Sequence, residues 1–164
     1  EAIKNREHYI NELKLIEQEI RKISHDLNSD FVTGASFVDI VKILIEKQTK
    51  AYNLTYTFNI GNKISWKDLP NKSKIHIYRI VQETLQNIYK HAHAKHVKIS
   101  FQLKNDVFLF SVEDDGKGYN VLKAKKGIGL KNINSRVHEI GGKVEIESEI
   151  NIGTKISITV PSTK

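Results

Sequence analysis

The segment from Gln82 to Lys95 constrains the fold more than any other part of the chain. Glu83, Asn87 and His91 are spaced four residues apart, so on a helix they share one face, with Lys90 close to it. Apolar residues recur at helical spacing between and before them, at Ile77, Val81, Leu85 and Ile88. We therefore predict a helix that buries one face in a core and presents a row of polar side chains on another.

The polar side chains of this helix suit phosphate chemistry beside a metal ion. A carboxylate can orient or deprotonate a nucleophile, and an amide oxygen suits a hard cation such as Mg²⁺. A lysine and a histidine can contact phosphate oxygens. Taken alone, the same pattern also fits a solvated helix face, so the interpretation depends on two glycine-containing segments downstream.

The first glycine-containing segment is EDDGKG at residues 113–118, where acidic residues end a strand and two glycines follow. Glycine allows the backbone to approach a ligand closely, and a carboxylate at a strand end can accept a hydrogen bond from an amine such as that of adenine. An ordinary acidic turn is the alternative.

The second segment is KGIGL at 126–130, which opens a helix and can hold phosphate with backbone N–H groups, although one GxG is weak evidence.

The remaining patterns predict an α/β domain. A strict heptad spacing from Tyr9 to Leu27 predicts one long helix over residues 2–29 that buries a stripe against a partner helix. We predict further helices at 36–51, at 70–92 and from Leu130 to Ile140, and strands at 54–60, 97–103, 107–112, 143–149 and 154–160. The fold class is then a two-layer α/β (α+β) sandwich, in which a mixed sheet of about five strands faces three helices and one long helix precedes it.

Composition narrows the function classes. The chain of 164 residues is 39% hydrophobic, which is enough for a core, and it has no cysteine for disulfides or thiolate metal sites. No run approaches a membrane span and no signal peptide opens the chain, which begins in mid-helix pattern and is expected to be part of a longer protein. The net charge of +7 raises nucleic-acid binding as a possibility. Lysines concentrate around the glycine segments, which instead favours nucleotide phosphates and no nucleic-acid partner.

Three segments occur in the order QETLQNIYKHAHA, VEDDGKGY and KGIGLKNINSRV. In this order the chain resembles the ATP-binding (HATPase) domain of two-component sensor histidine kinases, the GHKL or Bergerat fold, whose N box and two glycine boxes these segments look like. It is similar to the short-lid nitrate-sensor and DesK-like group, in which KHA follows the N-box asparagine. The resemblance covers about residues 36–161 and includes Gly153-Thr154 before a strand.

The resemblance implies roles for the residues that match. Asn87 would coordinate Mg²⁺, Glu83 would act at the transferred phosphoryl group as base or orienting carboxylate, and Asp115 would bind the adenine amine. The other nucleotide-binding residues that it implies are Lys90 and His91 at the phosphates, Gly116 and Gly118 at the base pocket, Gly127 and Gly129 as bounds of a lid at about residues 117–128, Leu130, and Thr154 beside the adenine.

The implied activity is that of an ATP-dependent protein histidine kinase with ATP and Mg²⁺ as cofactors. The phosphoryl group would pass to a histidine and then to an aspartate on a response-regulator receiver domain. Residues 1–33 would be the last helix of the dimerisation and phosphotransfer hairpin, and 34–164 the catalytic domain. The resemblance further implies a homodimer through the N-terminal helix and a cytoplasmic location, whether or not the full-length protein is anchored in a membrane.

His25, within RKISHDL at 21–27, superficially matches the acceptor motif of this group, a histidine followed by an acidic residue. Its heptad position is the most distant from the apolar seam, so it would be exposed. However, only one short turn fits between His25 and the catalytic domain, whereas the acceptor of the family lies on the first of two long helices. We therefore expect the acceptor upstream of Glu1 and keep His25 as the alternative.

Two other functions stay open from the sequence. GHKL folds also serve ATPases of the chaperone, topoisomerase and mismatch-repair type and anti-sigma serine kinases, although the heptad helix ahead of the domain favours a histidine kinase. The other alternative is a non-enzymatic interaction module or nucleic-acid binder, which would rest on the net charge.

Overall fold

A computed structural model of the chain describes residues 36–62, 64–121 and 127–162. The chain divides into two compact units, residues 1–40 and 41–164. The long helix predicted at 2–29 and the candidate acceptor His25 lie outside the described residues, as does the middle of the predicted lid, 122–126. The predicted division into 1–33 and 34–164 stays a prediction.

The described residues form three α-helices and five strands. The helices are α1 (Phe37–Ala51), α2 (Asn71–Asn87) and α3 (Ile128–Glu139), and the strands are β1 (Thr55–Ile60), β2 (His96–Lys104), β3 (Val107–Asp114), β4 (Lys143–Glu149) and β5 (Gly153–Pro161). A short 3₁₀ helix at Trp66–Asp68 precedes α2, and a π-helix at Ile88–Ala92 continues it. The helix predicted at 70–92 is therefore an α-helix that widens into a π-helix over its last five residues.

The five strands form one mixed sheet in the order β1-β2-β3-β5-β4. Strands β1 and β2 are parallel and all other neighbours are antiparallel. A parallel pair needs a crossover connection, which here contains α2 and the π-helix. The predicted fold class, a mixed five-stranded sheet with three helices, is confirmed. Among the described helices, none is long and apolar enough to cross a membrane.

One face of the sheet forms the core. Burial alternates with a period of two along β2, β3 and β5, and the buried apolar residues of these strands are Val97, Ile99, Phe101, Phe108, Phe110, Val112, Ile156, Ile158 and Val160. The apolar face of α2 packs here as predicted, with Ile77, Val81, Leu85 and Ile88 all buried. The helix therefore turns its other side, which carries Glu83 and Asn87, away from the densest part of the core.

The opposite face of the sheet is polar. Lys98, Glu113, Lys155 and Glu147 are neighbours across four strands, so their charges alternate in sign. Opposite charges at directly facing positions stabilise a sheet by roughly 0.2–1 kcal/mol per pair. This row also means that the face is not uniformly basic, despite the net charge of the chain.

His76 and Glu139 connect α2 to α3. Nε2 of His76 lies 3.5 Å from Oε2 of Glu139, and Nδ1 of His76 is buried with no hydrogen-bond partner among the described residues. Burial lowers the pKa of His76 below its ordinary 6.5, because the imidazolium loses hydration, although the Glu139 carboxylate acts in the opposite direction.

We expect His76 to destabilise the domain in mild acid. A histidine with a depressed folded-state pKa binds fewer protons when folded, so its contribution to stability is complete above the unfolded pKa of 6.5 and is lost as the pH falls below it. Thermal unfolding between about pH 7.5 and about pH 5.5 should show a larger loss of Tm in the parent than in His76→Gln.

His138, an exposed residue of the same helix pair, offers the matched control His138→Gln, which also removes one histidine from the chain. Equal losses of Tm in the parent and in His76→Gln would contradict the role given to burial of His76.

Candidate active site

A cavity of about 740 Å³ opens beside α2 and the π-helix. Glu83, Asn87, Lys90 and His91, the four polar residues predicted to share a helix face, all line it. Thr84, Ile88 and Ala92 of the same two helices also line it, and the other lining residues come from the ends of β3 and β5, from the loop after β3 and from the start of α3, which are far apart in sequence. The structure therefore brings the three sequence segments to one cavity.

The π-helix shapes the side of the cavity that carries Lys90 and His91. Helices with this wider turn are rare and occur frequently at functional sites. The residue that follows it, His93, adopts a left-handed conformation with φ of 54° and ends the helix. The sequence pattern predicts an ordinary α-helix here, because the spacing of apolar residues does not show that a single turn is wider.

Asp114 is the carboxylate that faces the cavity. Its side chain is only 7% exposed, and Oδ1 accepts a hydrogen bond of 2.9 Å from the N–H of Gly116. Burial raises the pKa of Asp114, while hydrogen bonds from the backbone N–H groups of Gly116 and Thr154 act in the opposite direction. A buried carboxylate held by backbone donors can accept a further hydrogen bond from a ligand.

Asp115, to which the sequence analysis gave the adenine amine, does not line the cavity. Its Oδ1 accepts hydrogen bonds from the N–H groups of Lys95, at 2.8 Å, and His96, at 2.9 Å. Successive side chains of a strand point to opposite faces, so Asp114 and Asp115 cannot both face the core side. The buried series from Phe108 to Val112 at every second position assigns that side to Asp114, and this alternation could have been read from the sequence.

The other predicted residues divide into two groups. Those that line the cavity are Gly118, Gly127, Gly129, Leu130 and Thr154. Gly116 instead packs on Ala92, since a Cβ at Gly116 would lie 2.5 Å from the Ala92 oxygen. The lining residues that were given no site role from the sequence include Asp114, Tyr119 and Asn132.

A hydroxyl network supports the end of the cavity near Asp114. Ser148 Oγ accepts the N–H of Tyr119 at 2.9 Å and lies 2.8 Å from Thr154 Oγ1. Burial raises the pKa of Tyr119, and the nearby Asp114 carboxylate adds to the effect, so the phenol is held neutral. The network joins the β4–β5 hairpin to the loop after β3. It therefore fixes Thr154, which lines the cavity, relative to Asp114.

Gly129 is in close contact with the polar pair of α2. A Cβ built at Gly129 would lie 2.5 Å from Oε1 of Glu83 and 2.9 Å from Nδ2 of Asn87. The first turn of α3 therefore reaches these side chains only because residue 129 has none. This contact brings the positive end of the α3 dipole to the same place as the Glu83 carboxylate.

The cavity thus has two ends of different chemistry. Near Asp114 its walls include Val112 and Ile156, which suit a flat, largely apolar group carrying one hydrogen-bond donor. Near Lys90 it combines cationic side chains, the carboxylate and amide of α2, and the N-terminus of a helix, which suit a polyanion. A purine nucleotide carries both kinds of group.

The family model of histidine kinase-, DNA gyrase B- and HSP90-like ATPases matches residues 72–164, more than half of the chain. The chain belongs to this ATPase family. All the residues that line the cavity lie within the match. The predicted family is confirmed.

The relatives are named as sensor kinases. The signal transduction histidine-protein kinase/phosphatase DegS of Brevibacillus brevis is 30% identical over 152 residues, which cover 88% of this chain and 37% of DegS. The sensor protein VraS of Staphylococcus aureus is 35% identical over 97 residues, which cover 58% of this chain and 28% of VraS. The chain therefore spans well under half the length of these relatives.

The fold is also that of solved histidine kinases. A blue-light activated histidine kinase of Erythrobacter litoralis superposes with a TM-score of 0.63 at 17% sequence identity, over 74% of this chain and 40% of that one. At this identity the likeness establishes the fold alone.

The contact at Gly129 predicts a separation of stability from binding. Alanine at this helical position forces the flexible ends of Glu83 and Asn87 to move, which costs little folding free energy but displaces both groups from the cavity. Gly129→Ala should weaken ATP binding about tenfold, with a change in unfolding free energy within about 1 kcal/mol. Isothermal titration and denaturant unfolding measure the two quantities.

Gly61→Ala is the matched control, because Gly61 does not line the cavity and a Cβ there would lie 3.5 Å or more from the described atoms around it, which is ordinary contact. Its ATP affinity should stay within about twofold of the parent. Equal effects of the two substitutions on binding would contradict the packing argument.

Proposed function

We propose that this chain is the catalytic, ATP-binding portion of a sensor histidine kinase. It would transfer the γ-phosphoryl group of ATP to a histidine, which we place upstream of Glu1 with His25 as the alternative, for relay to a response-regulator aspartate. The observation that carries the proposal is one cavity that joins the buried carboxylate of Asp114 to Glu83, Asn87, Lys90 and His91. The sensor-kinase names of the relatives favour this function over the other ATPases of the family.

The adenine would bind at the Asp114 end. The exocyclic amine of adenine donates to the carboxylate, which retains lone pairs beyond those engaged by backbone N–H groups. Guanine presents a carbonyl oxygen at the same ring position, and two acceptors facing each other in a buried site are costly. Val112 and Ile156 contact the ring faces or edges without offering competing polar groups. We therefore assign the amine to Asp114 in place of Asp115.

The triphosphate would bind at the other end. Lys90, His91 and Lys117 line this part of the cavity, and the N-terminus of α3 adds backbone N–H groups and its dipole. Lysine supplies a compact charge for phosphate oxygens. Gly127 and Gly129 leave the start of α3 uncovered, so that phosphate oxygens can approach its backbone.

The residues present fit Mg²⁺. The described residues contain no cluster of three or more His, Cys, Asp or Glu that could enclose a metal ion. Mg²⁺ is usually held by one or two protein oxygens together with substrate phosphates and water, rather than by an all-protein cage. Asn87 would supply an amide oxygen, with Glu83 beside it. When bound, Mg²⁺ would neutralise charge on the β- and γ-phosphate oxygens.

Glu83 would act on the acceptor histidine. Its carboxylate lies at the phosphate end, next to Asn87 and the start of α3. There it can accept the proton of the incoming imidazole, or orient that ring for in-line attack on the γ-phosphorus. Positioning and charge neutralisation supply most of the catalysis in such transfers.

We also propose a homodimer and a receiver-domain partner. The heptad seam from Tyr9 to Leu27 supports pairing through the N-terminal helix, and the kinase and sensor names of the relatives support an aspartate acceptor on a receiver domain. The proposed location of this domain is the cytoplasm, where ATP is available. The concentration of cations at the cavity supports nucleotide rather than nucleic acid as the anionic ligand.

Asp114→Asn should weaken ADP and ATP binding alike, by at least about tenfold, because both ligands carry the same base. Titration of ADP with Mg²⁺ measures this, and the same titration with GDP in the parent should give much weaker binding. Glu113→Gln is the matched control, because Glu113 is an exposed acid on the opposite face of the sheet. Unchanged ADP affinity in Asp114→Asn would contradict the assignment of the adenine amine to Asp114. DNA binding that persists at high salt, in a parent that does not bind ADP, would favour a nucleic-acid binder instead.

Glu83→Gln should separate binding from transfer. In the full-length protein it should bind ATP within about threefold of the parent, yet lose phosphoryl transfer by about a hundredfold or more, since a positioned acid–base group contributes at least that much. Labelling with radioactive ATP, followed by acid and base treatment, identifies phosphohistidine as acid-labile and base-stable. Normal labelling in Glu83→Gln would exclude the proposed role of this carboxylate.

A further inference from the structure

The loop after β3 is fastened to the corner between the π-helix and β2. Asp115 supplies three of the four hydrogen bonds. Its Oδ1 accepts from the N–H of Lys95 at 2.8 Å and of His96 at 2.9 Å, and its own N–H donates to the His96 oxygen at 3.3 Å. The fourth runs from the N–H of Lys117 to the Ala92 oxygen at 2.7 Å. We call these four bonds the corner clasp.

Gly116 allows the corner clasp to close. A side chain at this position would meet both the oxygen and the Cβ of Ala92 at less than 3 Å. The loop and the end of the π-helix are thus in direct backbone contact. A hydrogen bond to an ionised carboxylate is about twice as strong as a neutral one, and the N–H groups of His96 and Lys95 hold the pKa of Asp115 below its ordinary value.

The same corner is held from its other side by β1. The backbone N–H and the hydroxyl of Thr55 both donate to the Lys95 oxygen at 2.9 Å. With its hydrogen used there, the Thr55 hydroxyl must accept from Nδ1 of His96 at 2.8 Å, and Nε2 of a neutral ring then accepts from Thr57 at 2.9 Å. The strand side of the corner is therefore well anchored, and Asp115 connects it to the cavity loop.

The two ends of the cavity are anchored differently. Asp114 is held by the β3–β5 ladder, in which it pairs with Thr154, and Gly153 packs directly on the Asp114 oxygen. Lys90 and His91 lie on the π-helix, beyond the last residue of α2. Before them Tyr89 stacks on Tyr52 with ring centroids 4.2 Å apart, and after them the next contacts along the chain are those of the corner clasp. The clasp therefore holds the end of the π-helix that follows Lys90 and His91 relative to Asp114.

We propose that Asp115 is a positioning residue, whose carboxylate sets the distance between the base end and the phosphate end of the cavity by holding the corner at Lys95 and His96. The inference rests on the proposed nucleotide site and assigns Asp115 to phosphate recognition, through Lys90 and His91, without contact to the ligand. Base recognition stays with Asp114, whose pairing with Thr154 in the β3–β5 ladder does not involve Asp115.

The test compares ADP with adenosine, since their difference in affinity isolates the phosphates. Asp115→Ala should weaken ADP binding about tenfold while adenosine stays within about twofold of the parent. Asp115→Asn keeps an acceptor oxygen and should restore most of the ADP affinity. Glu113→Ala, which removes an exposed carboxylate two residues away, is the matched control and should leave both affinities unchanged.

Two results would overturn the inference. Equal weakening of ADP and adenosine in Asp115→Ala would mean that Asp115 serves the base or the whole fold. If Asp115→Asn weakened ADP binding as much as Asp115→Ala does, the two hydrogen bonds accepted from Lys95 and His96 would not be the reason that Asp115 supports ADP binding.

Amide hydrogen exchange without nucleotide tests the clasp separately. The amides of Lys95 and His96 should exchange faster in Asp115→Ala than in the parent, and at close to the parent's rate in Asp115→Asn. If the parent binds neither ADP nor adenosine, the proposed function is wrong, and so is the role of Asp115 in phosphate recognition. The exchange rates would still decide whether the clasp exists. Unchanged exchange in Asp115→Ala overturns the clasp, whatever the parent binds.

Discussion

The buried carboxyl group of Asp114 is the constraint on which the arrangement of the site depends. A charge that leaves water must be compensated by hydrogen bonds, and here the backbone of Gly116 and Thr154 supplies them. Those donors exist only because the loop after β3 turns back at once and because β5 lies alongside β3. The positive φ of Gly118, +55°, and the missing side chain of Gly153 allow this turn and this approach. Burial of one acidic group therefore explains the backbone geometry on two sides of the cavity.

Burial of apolar side chains contributes more free energy than the charges on the opposite face, and this difference decides which face of the sheet is buried. Full burial of a large apolar side chain contributes roughly 1.5–3 kcal/mol, and β2, β3 and β5 bury nine between them. Opposite charges at facing positions, such as Lys98 and Glu113 on the opposite face, contribute roughly 0.2–1 kcal/mol each. A shift of one residue in β3 would exchange the two faces, so the apolar residues decide the register. As a consequence of that decision, Asp114 lies at the cavity and Asp115 at its outside.

The second half of the site depends on helix α2 and its π-helical end. Glu83 and Asn87 belong to α2, whose apolar face fixes their orientation, and Gly129 lets α3 approach them closely. Lys90 and His91 lie on the π-helix, where core packing is thinner and where Tyr89 is 56% exposed. Their placement relies on the stacking of Tyr89 on Tyr52 and on contacts made further along the chain, at Ala92, Lys95 and His96. The end of the cavity near Lys90 is thus held by one ring contact and by hydrogen bonds of the loop, whereas the end near Asp114 is held by a β-ladder.

Local pattern in the sequence determined most of the elements and the identity of the polar helix face. Side chains four residues apart must share a face of a helix, so Glu83, Asn87 and His91 could be grouped before any fold was known. The order of the N box and the two glycine segments was sufficient to predict the ATPase family. The strands were recognisable because alternation with a period of two is a property of each strand by itself.

The tertiary structure alone decided which partners surround each of the two carboxylates, that the last turn of the helix is a π-helix, and what holds that turn. Asp114 and Asp115 have the same side chain and are neighbours in the sequence, and the difference between them comes from the partners that the fold supplies. For Asp114 these are Thr154 and the cavity, and for Asp115 they are the N–H groups of Lys95 and His96, about twenty residues away. Contacts of this range depend on how elements pack on one another, which the spacing of residues within one element does not encode.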